Sequence, residues 1–267
     1  MATAVVTGAA RGIGREVALR LAQRGYDVLV TDVNEAGAQA TADAIGERAW
    51  AMAQDVREPA SHQAVAQAAA ERGPVEVWVN NAGVLRTEKV WEHSDDDVRM
   101  IVEANLLGVI AGSRAAVAAM RAGGGHLINL GSMSAFGPVP GLAVYGATKH
   151  GVVAFSESLQ GDLDEAGVPI RVHVVCPDGV DTGMVREREG DDDAAIIFSA
   201  GKKLLDPGDV ADRIVGLLDS KALLLVIPRT RVPLLRFTGR YPRVGLKLAA
   251  LFKRVGERNR QKALDAR

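Results

Sequence analysis

Ala4-Val5-Val6-Thr7-Gly8-Ala9-Ala10-Arg11-Gly12-Ile13-Gly14 is an apolar run followed by a glycine-rich turn, and Val17, Ala18, Leu19, Leu21 and Ala22 continue it at helical spacing. The order is strand, turn, helix. Glycines let a pyrophosphate approach the backbone, while the first amides of the helix supply donors and a partial positive charge. The spacing is G-x-x-x-G-x-G rather than G-x-G-x-x-G, and it makes Gly8, Arg11, Gly12, Ile13 and Gly14 candidates for dinucleotide contact. A tight structural turn is the competing reading; the position at the first strand of the chain weighs against it.

A second strand, Asp27–Thr31, ends in Asp32, 18 residues after Gly14. A carboxylate there can accept both hydroxyls of an adenosine ribose and repels a 2′-phosphate. Its alternative use is as N-cap of a helix near Asn34–Ile45, although Asn34 could cap that helix itself. Val33 follows, so no arginine stands there to receive a phosphate, while Arg11 is a nearby cation that cuts the other way. The balance favours NAD over NADP.

Tyr145-Gly-Ala-Thr-Lys149 puts a phenol and an ammonium on one face of a predicted helix. A free tyrosine, with a pKa near about 10, carries protons poorly at neutral pH; a neighbouring cation favours the phenolate. Tyr and Lys at this spacing are common on solvated helices, so the pair gains weight only from its company.

With these pieces the chain resembles the short-chain dehydrogenase/reductase family over about residues 3–227. Thr7–Gly14 is similar to the family's glycine motif, Asp55-Val56 to the site that meets the adenine amino group, and Asn80-Asn81-Ala82-Gly83 to the turn lining the cofactor cleft. Pro177-Asp178-Gly179-Val180-Asp181-Thr182 represents a Pro-Gly-x-Val-x-Thr motif, with Asp178 in place of glycine. That carboxylate would stand near the nicotinamide, or the loop would turn on Gly179. Gly131 likewise replaces a serine common beside the catalytic one. The resemblance implies a catalytic set of Asn105, Ser132, Tyr145 and Lys149. In it Tyr145 acts as general acid/base, Ser132 holds the substrate oxygen, Lys149 lowers the phenol pKa and binds the nicotinamide ribose, and Asn105 holds a relay water. It also implies cofactor contacts from Gly8, Arg11, Gly12, Ile13, Gly14, Asp32, Asp55, Val56, Asn81, Ala82, Gly83, Tyr145, Lys149, Pro177, Val180 and Thr182. A homodimer or homotetramer built on the helices of Asn105 and Tyr145 is the implied assembly.

At 267 residues and 48% hydrophobic content, the chain can bury a large core as one domain. Short Val/Leu/Ile runs alternate with longer periodic segments, the pattern of a single Rossmann-like, doubly wound α/β fold: about seven parallel strands with helices on both faces. Further strand candidates are Trp50–Ala53, Val75–Asn80, His126–Gly131, Ile170–Cys176 and Leu223–Ile227. Ser94 followed by Asp95, Asp96 and Asp97 reads as a helix start, not a metal site. The five histidines lack ligand spacing, and no metal is expected. The single cysteine, Cys176, reads as a buried core thiol. The N-terminal residues lead straight into a strand and no uncharged apolar stretch of about 18 residues occurs, so the expectation is a cytoplasmic protein.

Met184–Leu204 interrupts the regular pattern where relatives carry a mobile substrate-covering loop; its acids are expected to keep it solvated. Met184, Val185 and Phe198, with Leu85, Phe136, Val139 and Leu142, are candidates for an apolar pocket wall or for ordinary core. As a wall they imply a hydrophobic secondary alcohol or ketone. The competing functions are an NADPH-dependent 3-oxoacyl-thioester reductase and a non-catalytic nucleotide-binding scaffold.

Residues 1–228 form the expected catalytic domain and 229–267 a basic extension. The extension holds 12 Lys/Arg against 2 Asp/Glu, a charge of +10, leaving −11 on the rest. Val244, Leu248, Leu251, Phe252 and Val255 recur at helical spacing, opposed by Arg243, Lys247, Arg254 and Arg258. Such a helix suits an anionic membrane surface. Alternatively its apolar face packs on a neighbouring subunit or over the pocket mouth. No motif accompanies the charge to indicate nucleic acid.

Overall fold

Thr3-Ala-Val-Val-Thr7 is buried at every position, as a strand covered on both faces must be. The computed structural model describes residues 1–200 and 203–265. β1 (Thr3–Thr7), β2 (Asp27–Asp32), β3 (Ala49–Ala53), β4 (Val75–Asn80), β5 (Gly125–Leu130), β6 (Ile170–Pro177) and β7 (Leu224–Ile227) form one sheet in the order β3-β2-β1-β4-β5-β6-β7. Every pairing is parallel, with Val5 opposite Leu29 on one side and Trp78 on the other. Each expected strand lies within a residue or so of its observed bounds. The order reverses between β1 and β4, which opens a crevice at the carboxyl ends of those strands.

Successive side chains point to opposite faces, so β1 feeds two cores. Ala4 and Val6 meet Val17, Ala18 and Leu21 of α1 (Gly12–Gln23), Ala38 and Ala42 of α2 (Glu35–Ile45) and Ile214 of α8 (Pro207–Val215). Val5 meets Val65 and Ala69 of α3 (Pro59–Ala70), Ala116 and Met120 of α5 (Gly108–Met120) and Leu163 of α6 (Ala143–Glu165) on the other face. Helix α4 (Asp95–Val102) starts at Ser94, whose hydroxyl accepts from the Asp97 amide at 3.1 Å. It runs through a π-helical turn, Glu103–Leu107, into α5 (Gly108–Met120). By length and composition Asp95–Met120 could cross a membrane, but half of its apolar window is buried in the fold, as in a core helix. Then come α6 (Ala143–Glu165), α7 (Gly183–Arg186), α8 (Pro207–Val215), α9 (Val232–Arg240) and α10 (Pro242–Asp265).

Helix α10 packs along the 3₁₀ segment Asp192–Ala200. The seating face shares Phe252 with the apolar stripe expected from hydrophobic spacing but is otherwise built from small residues. It consists of Gly245, Ala249 and Gly256, all buried, with Phe252 half-buried. A Cβ on Gly256 would collide with the Ala195 carbonyl, so only glycine allows this approach. Nor are the loop acids simply solvated. Lys89 and Lys253 both donate to Asp193, and Arg260 donates to Asp192 and to the Asp191 carbonyl. Burial pushes the Asp193 pKa up, but the two lysines outweigh it and hold the carboxyl below its usual range.

Candidate active site

The glycine turn, the ends of β2, β4, β5 and β6, and the C-terminal helices enclose one cleft of ≈580 Å³. Gly8 and Gly12 have φ of 63° and 60°, values that favour glycine. A Cβ on Gly8 would lie 2.6 Å from the Ala82 Cα. Asn81 braces the turn, its amide donating to the Thr7 and Gly8 carbonyls at 2.9 Å each. Arg11 occupies the N-cap of α1 but provides no side-chain cap, which leaves the first amides of the helix for a ligand. Gly8, Arg11, Gly12 and Ile13 line the cleft; Gly14 stands behind the turn, packed against Asn81 and the Gly8 carbonyl. Gly14 therefore serves close packing and does not itself reach the cleft.

Asp32 points into the cleft with its carboxylate held by two backbone amides, Ala10 at 3.0 Å and Asn34 at 2.9 Å. The cap of α2 is Asn34, which accepts from the Gly37 amide at 3.1 Å. Asp32 is thus free for a ribose. Asp55 and Val56 line the same end, and Arg57 grips both Asp55 oxygens, holding that carboxyl below its usual range. Arg57 also lines the cleft and was not anticipated; its i+2 position beside Asp55 is the signal that could have found it.

At the other end lie Asn105, Ser132, Tyr145 and Lys149. Asn105 sits in the π-turn, fully buried, and exchanges two hydrogen bonds with the backbone of Val84, at 2.8 and 2.7 Å. This clamps the chain after β4 beside Lys149. Tyr145 and Ser132 stand together in the cleft, and the Ser132 hydroxyl also accepts from the Ser134 amide at 3.2 Å. Burial pushes the phenol up to about 12, and the Ser132 hydroxyl pulls the other way. Lys149 is buried, donates to the Leu130 carbonyl at 2.8 Å, and is lowered by burial to about 8. Its Nζ is 5.6 Å from the centre of the Tyr145 ring. In the protein alone, burial governs the phenol, not the ammonium expected to lower it. Gly131 is explained by Cys176, a buried thiol at 2.7 Å from where a Gly131 Cβ would stand.

Pro177, Val180 and Thr182 line the cleft. Asp178 is half-buried beside them and faces Arg231, whose Nη1 lies 3.0 Å from Asp178 Oδ2 and whose Nη2 donates to the Ser199 carbonyl at 3.0 Å. Burial raises the Asp178 pKa, and Arg231 opposes this. The substitution in the motif is thus matched by a guanidinium delivered from the extension. Leu85, Val139, Leu142, Met184 and Val185 form part of the apolar wall, joined by Met100, Ile196, Leu234 and Phe252. Phe198 is instead buried with Val185 and Ala194, and Phe136 packs in the core near Val152 and lines a separate pocket with His150. Among the described residues no cluster of His, Cys, Asp or Glu could hold a metal ion.

The family model described as short chain dehydrogenase matches residues 2–193. The chain belongs to the short-chain dehydrogenase family. This short-chain dehydrogenase is 38% identical over 196 residues to the 3-oxoacyl-(acyl-carrier-protein) reductase FabG of Escherichia coli, covering 73% of this chain and 80% of that protein. It is 33% identical over 233 residues to the probable oxidoreductase EphD of Mycobacterium tuberculosis, covering 81% of this chain but 39% of that longer protein. A short-chain dehydrogenase/reductase from Burkholderia phymatum, solved in complex with NAD, superposes with a TM-score of 0.81 at 29% identity, covering 89% of this chain and 92% of the other. The protein is an NAD(P)-dependent oxidoreductase.

Proposed function

We propose that this short-chain dehydrogenase transfers hydride between NAD(H) and a hydrophobic secondary alcohol or ketone, with Tyr145 as general acid/base. The observation that carries the reading is one cleft bearing Asp32 at one end and Ser132, Tyr145 and buried Lys149 at the other. The open amides of α1 and the two positive-φ glycines fit a pyrophosphate. Asp32 fits a ribose without a 2′-phosphate, in keeping with the NAD bound to the Burkholderia relative. When bound, the nicotinamide supplies or accepts the hydride.

The chain's own groups do the rest. Ser132 donates to the substrate oxygen as negative charge develops there, and Tyr145 passes that oxygen its proton or removes it. Lys149 holds ribose hydroxyls and, as a cation near the ring, favours the phenolate once bulk water is displaced. Asn105 fixes Val84 and the π-turn beside Lys149, and in this reading it also holds the water that relays the proton onward. The apolar wall excludes water and selects against sugars and charged acids. Exposed Leu107, 51% accessible on the helix of Asn105, supports a homodimer or homotetramer built through that helix. A second reading, reduction of a 3-oxoacyl thioester with NADPH, draws on the likeness to the E. coli reductase, but Asp32 disfavours its coenzyme.

The test is Tyr145→Phe. Turnover of a panel of steroid, terpenoid and fatty secondary alcohols should fall about a hundred- to ten-thousandfold while NADH affinity stays within about twofold. Retained activity would refute the acid/base assignment. Turnover confined to small polar alcohols would refute the substrate class.

A further inference from the structure

Helix α10 uses two faces differently. The inner face, Gly245, Ala249 and Phe252, walls the substrate end of the cleft. The neighbouring outward strip carries Val244, Leu251 and Val255, 40%, 54% and 38% exposed, at spacings of seven and four residues over about 16 Å of helix. Phe237 and Tyr241, a packed aromatic pair 5.2 Å apart at the end of α9, are likewise exposed. Apolar side chains on a helix that already has a packed face require another reason to be there.

Arg243, Lys247, Arg254 and Arg258 flank that strip, all exposed. None of the four pairs with a carboxylate among the described residues, whereas Lys253 and Arg260 on the seated side are engaged by Asp193 and Asp192. A third feature lies on a loop tied to the seated side of α10. Trp91 is 78% exposed on the loop after β4, two residues from Lys89, whose ammonium shares Asp193 with Lys253 of α10. An exposed indole prefers the boundary between water and acyl chains.

We infer that α9, α10 and the Trp91 loop dock this protein on an anionic lipid bilayer, placing the helix that walls the substrate cleft at the lipid surface. The charge distribution selects this occupant. Residues 229–267 carry +10 and the rest −11, so an anionic surface attracts this end and repels the other. A second copy laid face to face would oppose two like-charged stripes, and a nucleic acid would leave the apolar strip and Trp91 without a partner. The inference does not depend on the identity of the substrate.

Flotation of the full chain with phosphatidylcholine vesicles, with and without phosphatidylglycerol, tests it. Binding is expected only to the anionic vesicles, weakening as salt rises. Leu251→Asp/Val255→Asp and Arg254→Glu/Arg258→Glu should each weaken it at least about tenfold, while NADH affinity and circular dichroism stay unchanged. Brominated lipid should quench indole fluorescence in the wild type, and Trp91→Phe should remove that quenching. Equal failure to float with both vesicles overturns the inference, as does equal binding to both. So does a Leu251→Asp/Val255→Asp variant that loses an oligomer in sedimentation while vesicle binding is unchanged, which would make this face a subunit contact.

Discussion

Replacing Asp32 with serine should relax coenzyme choice without harming the fold. The Asp32 carboxylate is fixed by the Ala10 and Asn34 amides and faces the cleft. A 2′-phosphate about 4 Å away would meet repulsion of roughly 1 kcal/mol per charge pair in a water-like medium and about 4 kcal/mol in a protein-like one. Asp32 is half-buried, between those limits. About 1.5–3 kcal/mol corresponds to a preference of roughly 10- to 150-fold. Titrating wild type and Asp32→Ser with NADH and NADPH, followed by nicotinamide fluorescence, reads this ratio without needing a substrate. The preference should fall by about that factor. Because Asn34 caps α2, the loss of stability should stay below about 2 kcal/mol, the value of the two amide bonds. An unchanged coenzyme ratio together with a large drop in melting temperature would show Asp32 to be structural and refute the reasoning.

Other outcomes follow from the same geometry. Arg231→Ala leaves the half-buried Asp178 without its counter-charge. Both side chains retain some exposure, 21% and 15%, so the cost should be about 1–3 kcal/mol rather than the 3–5 of a fully buried pair. Chemical denaturation measures it, and Asp178→Asn in the Arg231→Ala background should recover part of the loss; no recovery would refute the pairing. His126 is lowered from 6.5 to about 4, by burial first and by His173 and Arg171 next. The folded state thus resists protonation, so the stabilisation is complete above pH 6.5 and is lost as pH falls through about 4. His126→Phe should flatten the decline in melting temperature across that window; an unaltered decline would place the acid sensitivity elsewhere.

The sheet was legible because its strands are short apolar runs buried on both faces, and each glycine or asparagine signal fell at a strand end. Asp32 and Asn34 could be separated in advance only as alternatives, since both are good caps; the backbone amide of Ala10, 22 residues away, decides between them. Long-range pairs were invisible for the same reason. Arg231 meets Asp178 only because the extension folds back over the cleft, and nothing local in either segment announces it. The seating face of α10 escaped hydrophobic spacing because glycine and alanine, which carry almost no apolar surface, permit the close approach. Phe136 and Phe198 show the converse: hydrophobicity identifies a buried side chain but not which cavity it faces.

Ionisation of Tyr145 in the presence of coenzyme is the most direct test. Phenolate difference absorbance, wild type minus Tyr145→Phe, can be followed against pH with and without saturating NAD+. Alone, the phenol should titrate high, toward the value of about 12 set by its burial. With NAD+ bound, the added positive charge beside Lys149 should bring it close to neutrality. A phenol that stays protonated in that complex up to pH about 10, the value of free tyrosine, would contradict the account.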